Sequence, residues 1–393
     1  MEFSSLGDGH RLVFCRPGNE PQEISLRKWS SACISAISSF VDSVNGLVFN
    51  SKILDHFRPQ DMTDEKNLNA APHRQAQNQV LINPYQEHLE KEIFATLSTG
   101  SQQVDPVKAE TWLAAEQATL TMLADILCLA GGISFRGWQL SSIRYDSSDS
   151  QARNIWIIDK TIVVSHPKAK QRNLEYAPTL LAFPRSMTTH LIIYLYHIRP
   201  IACSILKVLK RENAVHSTFL WVNSMPTKGS DLPSLWDGAR VSACLQEFTD
   251  ENMTTPLSPL LVRQVSQAVM RDKFPQLFST IMSKNVSLAE YGRLCEFPPW
   301  QDLKPDRAVF LLAVSQIWQA MLGLSPVMQV WLPLVESSHI FPSEWSDNYE
   351  MAFLSAKQLL AGLEEGLFSQ DYSKVSLRSS YRFQFKAQIL HAI

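Results

Sequence analysis

Arg136, Arg263, Tyr291 and a basic run at 165–173 are the residues of this chain whose types and settings fit phosphate chemistry. Arg136 belongs to "LAGGISFRGWQLSSIRY", residues 129–145. There Gly131-Gly132 predicts the end of one helix, and Ser134 predicts the cap of the next. Arg136 is then expected in that helix's first turn, beside partial positive charge, where a cation costs roughly 0.3–1 kcal/mol. An anion bound at the same spot would offset that cost.

Arg263 lies in "PLSPLLVRQVSQAVMRDKF", residues 256–274. Ser258 is a good N-cap and Pro259 suits the first helical position, so Arg263 falls near the first turn. Val262, Val265, Val269 and Phe274 give this helix an apolar side, which sets Arg263 at a core boundary and in need of a partner. That partner is either a carboxylate or a phosphate. In "SHPKAKQRN" (165–173), an extended backbone would put His166, Lys168, Lys170 and Arg172 on one face by two-residue alternation. On spacing alone the run reads first as a solvated charged loop and second as a phosphate-binding comb. Tyr291, with Leu288 and Leu294 beside it, reads as an ordinary helix-face aromatic from its surroundings alone.

The elements that must position these groups are mostly helices. Residues 22–57 carry helical periodicity from Ile24 through Trp29, Ile34, Ile37, Phe40, Val44 and Leu47. The stretch 58–78 is polar and reads as a linker or surface loop, with periodicity resuming near Leu89. A long Ala- and Leu-rich helix is predicted over about 107–130. The period then changes. "RNIWIIDKTIVVSH" (153–166) predicts two strands around Asp159-Lys160, the only sheet expected apart from a short run at 219–222. Helical pattern returns at 186–211 and dominates from about 232 onwards. The fold class expected is mainly α with a small antiparallel β-sheet (α+β).

With 393 residues, 45% hydrophobic and 19% charged, the composition is that of an ordinary globular protein. The formal net charge of −2 is unlike a free-standing nucleic-acid binder, so any DNA contact has to rest on a local basic patch. The six cysteines form no CxxC pair, which argues against a zinc site or a disulfide framework and fits a reducing compartment. The apolar stretch Leu191–Leu209 is broken by His197, Arg199, Pro200 and Lys207, so no membrane partner is expected. GxSxG, P-loop, HExxH and dinucleotide-binding glycine signatures are missing.

The order of these parts resembles the tyrosine recombinases, in particular a degenerate fungal group related to Crypton-type mobile elements and associated with RecQ-like helicases. "LAGGISFRGWQLSSIRY" is similar to the block carrying that group's first catalytic arginine, and "RNIWIIDKTIVVSHPKAK" to its hairpin with the catalytic lysine. "LSPLLVRQ" follows the motif LTPHxLRH, and "MSKNVSLAEYGRLCEF" the block that holds the nucleophilic tyrosine. By that resemblance Arg136 and Arg263 would hold the scissile phosphate. Lys168, or else Lys170, would protonate the leaving oxygen, and Tyr291 would attack phosphorus. His166, Lys168, Lys170 and Arg172 would grip the DNA backbone. Neither a metal nor another cofactor is implied.

Two positions depart from the pattern: Leu260 and Met282 stand where the motifs have histidines. Neither can transfer a proton, and acid–base help of this kind is typically worth 10²–10⁴-fold. The expectation is therefore a recombinase-derived, duplex-DNA-binding protein, intracellular and nuclear, without strand transfer. Its expected division is a helical N-terminal domain at 1–105, a recombinase-like domain at 106–300 and a helical extension at 301–393. The other reading is a helical interaction or regulatory module, with protein partners or self-association, that has lost DNA.

Overall fold

The computed structural model describes residues 2–5, 11–15, 22–52, 57, 61–64, 71–98, 103–132, 135–147, 152–158, 161–166, 179–212, 218–226, 230, 232–273, 315–316, 318–319 and 322–324. These residues form a mainly helical protein with small antiparallel sheets, an α+β architecture. Its centre is α3 (Pro106–Ala130), capped by Asp105, whose carboxylate accepts from the Val107 and Lys108 amides. From Leu123 to Ala130 every residue of α3 is buried, so the helix is enclosed rather than amphipathic at that end.

Helix α1 (Leu26–Leu47) lies against α3 through Trp29, Cys33, Ala36, Phe40 and Val44, which recur at helical spacing. The last carbonyls of α3 have no partner within the helix. The indoles of Trp29 and Trp318 both donate to the Leu129 carbonyl, at 3.2 and 2.7 Å, and meet edge to face with centroids 5.4 Å apart. Ser315 Oγ donates to the Gly131 carbonyl at 2.7 Å and accepts from the Ala182 amide at 3.2 Å. The turn that leads to Arg136 is thus fixed from two sides by buried hydrogen bonds.

The expected hairpin is present: β4 (Ile155–Ile158) pairs antiparallel with β5 (Thr161–His166), Ile158 opposite Thr161. A third strand, β6 (Thr179–Ala182), extends that sheet from the far side of β5. Helices α5 (Thr188–Ile193) and α6 (Arg199–Val208) run on through a π-helical turn at Tyr194–Ile198, with Pro200 tolerated in the first turn of α6. After the two-stranded pair β7 (Val222–Asn223) and β8 (Ser234–Leu235) come α7 (Gly238–Met253) and α8 (Pro259–Lys273). Buried residues from Ile24 to Leu324 form one continuous core, to which helices on both sides of the expected 105/106 division contribute.

Three expectations about this frame are corrected. The middle sheet is not alone: β1 (Glu2–Ser5), β2 (Arg11–Cys15) and β3 (Gln22–Ser25) form an N-terminal antiparallel sheet. Ile24 is the inward residue of β3, opposite Leu12, and the helix starts two residues later. Four-residue strands are too short to display their alternation, so Ile24 read as the first helical position. Finally, helix α2 (Ala76–Leu97) begins well before Leu89. Its polar first turn is buried work: the Asn78 amide donates to the Thr63 and Pro72 carbonyls, and its oxygen accepts from the Thr63 amide at 3.0 Å.

Candidate functional site

Gly131 closes α3 and Gly132 turns the chain with a positive φ of 84°. A Cβ at Gly131 would lie 2.7 Å from the Leu127 carbonyl oxygen, so only glycine fits there. Phe135 is then buried, and Arg136 comes next. Arg136 is not inside the first turn, as expected, but is itself the N-cap of the five-residue α4 (Gly137–Ser141), with extended φ and ψ. Its backbone N–H donates to Gln139 Oε1 at 2.9 Å, which locks this cap from below. The Gln139 side chain is thereby occupied in holding the turn, and Arg136 is half-buried. Ser134, the expected cap, lies outside the described residues.

Beyond Arg136 the chain passes Gly137, which abuts Gly238 at the start of α7. A Cβ on Gly137 would be 3.4 Å from the Gly238 Cα, and one on Gly238 would be 3.2 Å from the Gly137 carbonyl carbon. This close glycine–glycine contact brings α4 onto α7, and α7 packs on α8. The expected cap of α8 is present, with the Leu261 amide donating to Ser258 Oγ at 3.3 Å. Val262, Val265 and Val269 face the core as expected, whereas Phe274 is outside the described residues. Arg263 is left half-buried at the boundary.

The two arginines converge. Burial first, and then the nearby Arg136 charge, lower the pKa of Arg263 from its ordinary value. Like charges close enough to shift one another's titration repel, and partial burial weakens the screening between them. Among the described residues no carboxylate pairs with either of them. Elsewhere the protein treats buried arginines differently. Arg199 donates to Glu116 Oε1 at 2.8 Å, and that same oxygen also accepts from the Tyr194 hydroxyl at 2.7 Å. Arg153 forms a two-pronged pair with Asp64 and lies over the Trp156 ring, 3.9 Å from its centroid. Charge-assisted pairs of that kind are what keep a guanidinium in a core. Among the described residues the Arg136–Arg263 pair has no such carboxylate.

His166 is a correction. It ends β5 at 4% exposure, its Nε2 bonded to Ser142 Oγ at 2.8 Å and its ring set against Trp138 and Phe135. A ring so enclosed does not stand in an exposed comb; it braces α4 against the sheet. Lys168, Lys170 and Arg172 belong to the connection from β5 to β6, and they, Tyr291 and Met282 lie outside the described residues. Leu260 is 62% exposed, one helical turn before Arg263 and therefore on the same face. His190, on α5, has Asp42 of α1 as its charged neighbour. No group of three His, Cys, Asp or Glu side chains suited to a metal ion occurs among the described residues.

No family model, no curated protein and no solved structure matches this chain.

Two parts of the site went unread in the sequence. Gly238 brings α7 up to α4, and nothing in "WDGAR" marks it as more than a helix start. Trp138 is exposed two residues after Arg136, and its spacing from Leu140 and Ile143 is indistinguishable from that of a core residue.

Proposed function

We propose that this chain is a recombinase-derived DNA-binding protein that holds a backbone phosphate between Arg136 and Arg263 and performs no strand transfer. The observation that carries the reading is the convergence of two half-buried guanidiniums, distant in sequence, with no carboxylate between them among the described residues. A phosphate diester supplies the missing charge and accepts from both planar forks. The five-residue α4 adds little through its dipole, so the two side chains carry the attraction. The antiparallel hairpin that leads into Lys168, Lys170 and Arg172 agrees with the same family pattern. In that pattern Lys168 would approach a leaving oxygen and Tyr291 would be the nucleophile. The tyrosine-recombinase family, the division at 1–105, 106–300 and 301–393, and a nuclear location all belong to this proposal.

Phosphoryl transfer depends on positioned charge and on proton transfer together. Leu260 sits on the arginine's own helical face and offers no donor, so the site is read as one that grips without cutting. The other reading, an interaction module without DNA, is favoured by the net charge of −2 and by the exposed Leu260. A salt titration of duplex binding separates the two. Log affinity should fall against log salt with a slope of about −0.9 per neutralised phosphate. Arg136→Ala and Arg263→Ala should each make that slope shallower by about one unit. Folded protein that binds no duplex at low salt would leave the interaction module as the function.

A further inference from the structure

Trp138 is the outlier among the described tryptophans. Trp29, Trp112, Trp156, Trp221, Trp236 and Trp318 are all buried, while Trp138 is 38% exposed. It lies two residues along from Arg136, in the first turn of α4. Its ring meets that of His166 edge to face, with centroids 5.2 Å apart and planes at 88°. The His166 ring is fixed in turn by Ser142 Oγ and Phe135. The indole is thus braced along its rim by a buried imidazole and presented to solvent two residues from Arg136, which pairs with no carboxylate among the described residues. Leu260, one turn from Arg263, adds exposed apolar surface on the other arginine's helix.

We infer that Trp138 is a stacking platform for an unpaired base, so that this site takes DNA in which a base next to the gripped phosphate has left the helical stack. The inference rests on the DNA-binding reading above. Cations with an exposed aromatic beside them suit a nucleotide in which phosphate and base are both accessible. An intact duplex hides the base faces, and only its phosphates can be reached. Stacking on an aromatic side chain is sequence-tolerant, because every base has a π-face. The platform therefore selects by strand distortion rather than by sequence.

The experiment compares a 30-base-pair duplex with the same duplex carrying one bulged thymine, using the full chain. Wild type should bind the bulged DNA about tenfold more tightly, the gain expected from one stacked base. Trp138→Ala should abolish that preference while leaving duplex affinity and its salt slope unchanged, since the slope counts phosphates. Trp138→Phe should keep part of the preference, and a thermal melt of each variant confirms folding. Equal affinity of wild type for both DNAs, or an unchanged ratio in folded Trp138→Ala, overturns the platform while duplex binding through the arginines stands. Loss of binding to every DNA overturns the phosphate reading, and the platform with it.

Discussion

Arg136 and Arg263 bring two positive charges together on the faces of α4 and α8 with no acid between them among the described residues. Placing like charges side by side at a partly buried boundary opposes folding, and groups arranged this way are more often functional than structural. Removing one charge should therefore stabilise the free protein. Arg263→Met, which keeps the apolar stem, should raise stability by about 0.5–1 kcal/mol after allowance for solvent screening. Wild type should show a rise in Tm on adding duplex oligonucleotide, and the variant a much smaller one. Calorimetric melts with and without DNA check both parts, and a destabilised Arg263→Met would mean the guanidinium has a partner in the fold.

How much of this was legible beforehand follows from where each signal is local. The end of α3 at Gly131-Gly132, the 155–166 hairpin and the Ser258–Pro259 helix start are all written in adjacent residues, and all three are present. The N-terminal sheet was not, because its strands carry too few residues to show a period of two. His166 was misplaced for a related reason. Alternation with Lys168 and Lys170 is visible in sequence, but the Ser142 hydroxyl and the rings of Trp138 and Phe135 that enclose it are brought together only by the fold. The same holds for Asp64 and Arg153, whose pairing depends on packing across 89 positions.

Asp125, on the buried side of α3, predicts a pH effect. Burial, and then the nearby charge of Glu247, push its carboxyl up to about 8, and one of its oxygens has no hydrogen-bond partner. The folded state thus holds a proton that the unfolded chain releases near pH 4. Its contribution is fully present below that value and is lost as pH rises towards 8. Asp125→Asn, which is neutral throughout, should stabilise the protein by on the order of 2–4 kcal/mol at pH 8. Urea midpoints at pH 5 and pH 8 test it. A gain of the same size at both would show that ionisation is not the cause.

Two histidines act in the opposite direction. His73 is stacked on Tyr196 with centroids 5.1 Å apart, and His197 Nδ1 donates to Gln86 Oε1 at 2.9 Å. Burial first, then the charges of Arg74 and Arg153, lower His73 to about 3, and burial lowers His197 to about 4. Both are neutral in the fold and protonate near 6.5 once unfolded. Their contribution is fully present above that value and is lost as pH falls through it towards 4. Each group removes about 1.2 kcal/mol between pH 6 and pH 5, so the pair together takes about 2.4 kcal/mol there. Asp125 gives back roughly half of that, and stability should peak at about pH 6.5. In the double variant His73→Phe, His197→Gln the acid limb of the stability curve should flatten or reverse, whatever happens to its height. An acid limb as steep as in wild type would place the sensitivity elsewhere.

The last expectation is that the site binds without reacting. A phosphotyrosyl adduct needs Tyr291 to lose its proton while the leaving oxygen gains one, and the charge that builds on phosphorus must be met by donors. On the proposed reading the paired arginines would meet part of that charge. Leu260 shares Arg263's helical face and is exposed there, so it contributes neither a donor nor a proton. Met282, at the other histidine position, has only a weak thioether acceptor. Losing both should cost several powers of ten, if each histidine is worth the usual 10²–10⁴-fold. A nicked suicide duplex that traps covalent protein should therefore show no adduct at any protein concentration that saturates binding. Leu260→His alone should leave it silent, and Leu260→His with Met282→His should yield at most a trace that disappears on Tyr291→Phe. An adduct from the unmodified chain that Tyr291→Phe abolishes would make this protein an enzyme and would show that other groups move those protons.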